Sequence, residues 1–511
     1  MTARRTRREF LAAGAAVALC GGVRAAPQDR DAAFDALLRA LAGEAPPTGT
    51  TDRAAAARAA TRLRFEKLDA FDPAGLSADA ALDYRAIHEG AQQEADLCQR
   101  FPYGTTAPPF SPYVVSPRGG AWTTNARPED IAADTAQIAA DAVCGVVPPD
   151  FIIDATLAKL TAAHTTAPAP VAAALAAQIA ALKSIRRHAM HDAGVWRLPD
   201  GEACYAALLK LGTSRDIDPQ AAHDIGNAQI AELSARADKL LKKQGLAAGT
   251  VGARLHALGR QPRYLYSDDD AGRARAIADM NARLARVRGR LDPYFKNFAP
   301  GEISIQPAGP GRIGYRVAPT TTTPGAYYVD LREIGRRPTW SLPTVVHHET
   351  LPGHLLQLPI EARAHPRPMR LRYTPNAYSE GWAIYAEQLA DEIGLFKGDP
   401  LAELGFLQSV LVRAARLVID TGIHFKHWSR EQAIARFFDI AGDAPDTLEN
   451  EVDRIVIQPG FLSGPALGRD TILSLRETAR GKPGFTLPDF HELILKRGQM
   501  RLSLLAASMA T

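Results

Sequence analysis

Apolar residues recur at three- and four-residue intervals through most of this chain, the repeat of helices that bury one face. Ile131, Ile138 and Ala142 form one such stripe, and Ile230, Leu233, Ala237 and Leu241 another. From Ala32 to about Leu291 the residues are dominated by Ala, Leu, Arg and Glu, all good helix formers. A segment rich in Pro, Gly and aromatics, Phe101 to Trp122, interrupts this pattern and predicts an ordered crossing loop; helix returns around Val171 to Leu182. Between Gly301 and Leu331 the pattern changes. The pieces Ile303–Gln306, Arg312–Val317 and Ala326–Leu331 are β-branched and aromatic with Pro and Gly between them, which predicts a small β-sheet. Its last strand stands just before a helix expected to begin near Leu342. As a sheet edge it would be open to an extended peptide; otherwise it is scaffold. Beyond residue 370 the helical pattern resumes, and Ser379–Glu387 opens a strong helix with Glu380 and Glu387 seven apart, near one face. The chain reads as mainly α. A helical region over 26–300 and a region of small β-sheet plus helices over 301–511 are expected to form one continuous domain.

The 511 residues, 46% of them hydrophobic, suffice for a large core. The formal charge of +4 belongs to residues 1–25, which carry five Arg and one Glu, so the remainder is near neutral and offers no basic footprint for nucleic acid. Those 25 residues read as an export signal. Arg4, Arg5, Arg7 and Arg8 precede a short apolar run from Phe10 to Leu19, and Val23-Arg24-Ala25 resembles a cleavage site. Thr6-Arg7-Arg8-Glu9-Phe10-Leu11 fits twin-arginine export, with general secretion as the alternative. The run is too short to span a bilayer, so a periplasmic or secreted protein without stable membrane insertion is expected. Leu19 stands where a lipoprotein signal normally has Gly or Ala, which argues against lipid on Cys20. Cys98, Cys144 and Cys204 remain, enough for one disulfide but without zinc-knuckle spacing.

The chemistry concentrates in His348-Glu349-Thr350-Leu351-Pro352-Gly353-His354. In the H-E-x-x-H arrangement of zinc peptidases two His four apart bind the ion from one helical face and the Glu activates water. Here the interval is six. A straight helix would turn His354 about 240° away from His348, so the helix must deform. Pro352 breaks the hydrogen bonding and Gly353 permits unusual backbone angles, so a two-residue bulge is expected to restore the pair. His347 is expected to be a neighbour and not a ligand. Two imidazoles need a further protein ligand, and Glu380, on a following helix that returns antiparallel, is the natural one. Zinc is the ion that a His2Glu set favours, although manganese or cobalt use similar sites. Glu349 then falls beside the metal as general base, and Glu387 is a second candidate ligand or a carboxylate that fixes an imidazole. Asp420 and His424, four apart, place another acid and imidazole on one helical face.

The motifs P-G-A-Y-Y (from Pro324), H-E-T-L-P-G-H-L-L-Q, S-E-G-W-A-I-Y-A-E, R-L-V-I-D-T-G-I-H and E-V-D-R-I-V-I-Q-P-G occur in the order and spacing of the bacterial domain of unknown function 885, which this chain resembles over most of its length. That family is similar to helical zinc peptidases such as carboxypeptidase Taq, neurolysin and angiotensin-converting enzyme. The resemblance implies a large helical fold with a deep groove, His348, His354 and Glu380 as zinc ligands, Glu349 as the catalytic residue, and Tyr327, Tyr328 and His424 facing substrate. One segment departs from the pattern. After Pro459-Gly460 the family usually continues Q-A-x-x-Y-K-x-G, whereas Phe461, Pro465 and Ala466 stand here for the Gln, Tyr and Lys. Losing a Tyr that donates to an oxyanion costs on the order of 100-fold in rate.

An exported zinc metallopeptidase of short peptides is therefore the leading expectation. A catalytically weakened or non-catalytic metal-containing binding protein, or a zinc amide hydrolase of non-peptide substrates, would keep the same ligands.

Overall fold

The computed structural model describes residues 27–43, 53–123, 127–296 and 298–510. The signal segment with Cys20 lies outside them. Helices dominate, joined by one three-stranded sheet. The stripe Ile230, Leu233, Ala237 and Leu241 is buried along the helix Pro219–Lys243, which Asp218 starts by accepting the amides of Gln220 and Ala221. It shares a core with Leu407, Leu411, Leu417 and Val418 of the helix Pro400–His424. A second core joins Met280 and Leu284 to Leu342, Val346, Leu355, Trp382 and Ile472. Both cores draw side chains from before and after residue 300. The segment 101–122 is irregular and ordered by burial of Tyr103, Tyr113 and Val115. Cys98, Cys144 and Cys204 are all unpaired, the first and last buried and Cys144 exposed, so the disulfide that the composition allows is not formed.

The sheet comprises β1 (Ile303–Pro307), β2 (Tyr315–Val317) and β3 (Gly325–Val329), in the order β1-β3-β2. β3 is its central strand, parallel to β1 and antiparallel to β2. This corrects the expectation of an open edge there: both of its hydrogen-bonding sides are taken. The register sets Tyr327 beside Ile305 and Arg316, and Tyr328 beside Gln306 and Tyr315.

The helix Ala377–Glu392 carries Glu380 and packs against Gly464–Arg480. Two glycines set the depth of that contact. A Cβ on Gly468 would stand 1.9 Å from the Ala377 carbonyl oxygen, and one on Gly381 would stand 2.6 Å from Gly468 Cα. Only backbone fits between the two helices here, and Glu380 is the residue next to Gly381. Gly468→Val should therefore cost about 1–3 kcal/mol in chemical denaturation, because the neighbour is backbone and cannot move aside. Ser474→Val, on an exposed position of the same helix, should stay within about 0.5 kcal/mol of wild type.

Candidate metal centre

The helix Leu342–Glu349 stops at Thr350 and a second helix, His354–Ala362, begins after a four-residue turn. The expected bulge inside one helix is thus a complete break. Gly353 makes it possible: a Cβ there would lie 1.9 Å from the His348 carbonyl oxygen and 2.4 Å from that of His347. The turn is tied to the Glu380 helix by the indole of Trp382, which donates to the Pro352 carbonyl at 3.2 Å. One tight turn therefore redirects the chain by the angle that a straight helix would have missed.

The result brings His348, His354 and Glu380 together, with one donor atom of each within 4.8 Å of the others. His348 Nε2 lies 3.4 Å from Glu380 Oε2, and His354 Nε2 lies 3.5 Å from Glu380 Oε1. Tetrahedral zinc with bonds of 2.0–2.2 Å separates its ligands by about 3.3–3.6 Å, and each imidazole stands at that spacing from its own oxygen of the Glu380 carboxylate. The imidazoles present the correct nitrogens. His348 Nδ1 is bonded at 2.8 Å to Glu387 Oε1, and Thr344 donates to the other Glu387 oxygen. His354 Nδ1 is bonded at 3.0 Å to Gln357 Oε1, and Gln357 donates onward to Glu361 at 2.9 Å. Both acceptors are oxygens, so each Nδ1 carries a proton and each Nε2 is the nitrogen left for the site; His348, held as an imidazolium, would give up its Nε2 proton on ligation. His354 Nε2 is a buried atom without a hydrogen-bond partner, which an ion would satisfy.

The electrostatics favour a cation at the same point. Burial alone would lower the His348 imidazole, but the carboxylates of Glu380 and Glu387 outweigh it and hold its pKa up at about 9. Burial lowers that of His354 despite Glu380. Burial would raise the Glu380 carboxyl, and the two imidazoles facing it instead hold it far below the usual range. Among the described residues the only guanidinium in contact with any of Glu349, Glu380 and Glu387 is that of Arg316, at 2.9 Å from Glu349 Oε2. With His348 as its imidazolium these groups sum to one negative charge, and to two once His348 is neutral, as ligation of an ion would require.

Arg316, on β2, was not legible from the sequence. Nothing in its spacing links it to Glu349 until the antiparallel register sets it beside Tyr327. Tyr327 shares this face: burial raises its phenol and the Glu349 charge adds to the rise. Tyr328, one residue on, belongs to the opposite face of the pleated strand and stacks on Tyr315 with ring centroids 4.4 Å apart. His347 is fully buried, turned against Phe396 and bonded to the Leu351 carbonyl. It contacts none of the three ligands.

His424 does not face substrate. Its Nδ1 accepts the Val195 amide at 3.2 Å and its Nε2 donates to the Ile455 carbonyl at 3.1 Å, while burial lowers its pKa to about 4. Asp420 likewise touches no imidazole of the cluster. It accepts the Gly460 amide and the hydroxyls of Ser463 and Tyr205, bracing the segment that departs from the family pattern. Within that segment Pro465 and Ala466 are buried at the start of the Gly464–Arg480 helix, and Phe461 lines an apolar cavity of about 180 Å³ with Phe110, Leu208, Leu211 and Asn376. A cavity of about 560 Å³ lies elsewhere, along the 104–121 loop, and none of the three candidate ligands lines it.

Two solved structures are similar over nearly the whole chain. A "putative lipoprotein" from Colwellia psychrerythraea superposes with a TM-score of 0.79 at 24% identity, covering 96% of this chain and 99% of its own. A "putative lipoprotein of unknown function" from Shewanella oneidensis gives 0.72 at 17%, covering 95% and 100%. Both likenesses establish the mainly helical fold alone. No curated protein matches the chain. The family model described as "Bacterial protein of unknown function (DUF885)" matches residues 121–509, which include the broken His348–His354 motif, Glu380 and the sheet, and the protein belongs to that family.

Proposed function

We propose that the protein is an exported zinc-dependent peptidase acting on short peptides. The observation that carries this reading is the convergence of His348 Nε2, His354 Nε2 and Glu380 on one point, with each Nδ1 already anchored by its own acceptor. A divalent ion held there would polarise a scissile carbonyl and make water a stronger nucleophile. Glu349, one residue from His348 and outside the ligand set, accepts the proton of the attacking water and delivers it to the departing amine. The imidazoles are buried, whereas the side chains of Glu349 and Glu380 keep 19% and 27% of their exposure, so reactants approach from the carboxylate side. Export is supported by the signal-like residues 1–25 and by the lipoprotein descriptions of the two structural neighbours. No described helix is long and apolar enough to cross a membrane.

A second reading has its own support. Pro465 and Ala466, where the family usually has Tyr and Lys, are packed into a helix start and offer no phenol or ammonium. This favours a protein that holds metal but turns peptides over weakly, or uses the site on a non-peptide amide.

Metal analysis of the mature protein, with a mixed short-peptide library as substrate, separates these readings. Wild type should hold about one zinc and cleave peptides. Glu349→Gln should keep the zinc and lose turnover; zinc without cleavage in wild type would favour the second reading. Glu380→Ala should lose zinc on dialysis, and retention there would remove Glu380 from the site. Glu387→Ala, which frees the His348 ring, should weaken zinc about 10–100-fold in a competition titration.

A further inference from the structure

The cavity of about 180 Å³ beside Phe461 reaches to within one helical turn of a candidate metal ligand. Asn376 lines it and stands four residues before Glu380 at the start of the same helix. Side chains four apart share a helical face, with Cβ atoms about 5–6 Å apart. Phe110, Leu208, Leu211 and Phe461 form the apolar walls. The charged groups in the lining, Glu94 and Arg372, close on each other through two hydrogen bonds of 2.7 and 2.8 Å. Neither is left for a ligand, so an occupant is uncharged where it meets the walls. An apolar cavity of about 150 Å³ holds a benzene ring, and this one has room for a phenylalanine or leucine side chain.

Two features separate this cavity from a packing void. Asn is among the best N-cap residues, yet the Asn376 side chain makes no capping bond, and its Oδ1 is buried without a partner among the described residues. A buried acceptor without a donor is costly, and a peptide N–H arriving with an occupant supplies one. Phe461 stands where the family usually has Gln, so the apolar wall belongs to this chain and departs from the pattern it otherwise follows. We propose that the cavity is a specificity pocket for a phenylalanine or leucine side chain of a peptide held at the metal centre, with Asn376 accepting a backbone N–H beside it. The peptidase reading supplies the source of that side chain, and the pocket deepens it by naming the class of residue selected.

The test titrates Phe-Ala-Ala, Ala-Phe-Ala, Ala-Ala-Phe and Ala-Ala-Ala by calorimetry into the mature, zinc-loaded Glu349→Gln protein, which leaves the peptides intact. The best of the three phenylalanine peptides should bind at least about 10-fold more tightly than Ala-Ala-Ala, the effect of burying one large apolar side chain. Leu211→Trp fills the cavity and Phe461→Gln makes its wall polar; each should cut that preference below about 3-fold, with zinc content reporting that the variant folds. Asn376→Ala should weaken all four peptides by about 3–10-fold and leave the preference in place. Equal binding of the four peptides by the parent, or a preference that survives in either folded cavity variant, overturns the assignment and leaves an internal void only. Unchanged affinities in Asn376→Ala remove Asn376 from the site. Turnover of the same peptides by wild type is measured in parallel. Cleavage without a Phe461-dependent preference overturns the pocket and leaves the peptidase reading intact. The binding preference without cleavage does the reverse.

Discussion

The contact between Gly353 and the carbonyl of His348 is the constraint on which the site depends. Two histidines six residues apart lie about 120° apart around a straight helix and about 9 Å apart along it, too far for side-chain rotation alone to bring them to one ion. The chain solves this by ending one helix and starting another within four residues, so tightly that the backbone of residue 353 rests on that of 347 and 348. A side chain at 353 would push the second helix, and His354 with it, away from the first. Trp382 then fixes the turn against the helix that supplies the third ligand, and the Gly381–Gly468 contact fixes that helix in turn. The distances among the three donors follow from this sequence of backbone contacts more than from the side chains themselves.

Around that frame the charges are arranged for a cation. Each imidazole is held through Nδ1 by an oxygen acceptor, one a buried carboxylate and the other an amide that leads to Glu361, itself buried and raised to about 8 by that burial. The asymmetry has a consequence. His348, set between two carboxylates, retains its positive charge more readily than His354, so an ion bound there would displace a proton mainly from His348. Glu349 pairs with Arg316 of β2 whereas Glu380 and Glu387 meet the imidazoles, which separates the roles of three carboxylates that lie close together in sequence or space.

Much of this was legible in the sequence because it rests on short-range rules. The helical stripes, the three β pieces and a distortion at Pro352-Gly353 follow from periodicity and backbone chemistry, although the distortion is a full helix break and not the expected bulge, and His348, His354, Glu349 and Glu380 stand out as the groups a metal site requires. What escaped depends on long-range register. β3 could be taken for an edge from its place just before the metal-site helix, yet β1 and β2 flank it. Tyr327 and Tyr328 are equivalent in a motif and opposite on a pleat. Asp420 and His424 look like an acid and imidazole pair on one face, but His424 is taken up by backbone groups and Asp420 by an amide and two hydroxyls, all from distant segments. Arg316 lies 33 residues from Glu349, and only the sheet brings them together.

The central claim is that one ion is held through both Nε2 atoms and Glu380. Anomalous diffraction at the zinc edge from crystals of the zinc-loaded protein tests it most directly. A single strong peak should lie within about 2.2 Å of His348 Nε2, His354 Nε2 and a Glu380 oxygen, with both Nδ1 atoms still on Glu387 and Gln357. Stoichiometric zinc bound elsewhere, or ligated through either Nδ1, would contradict the account.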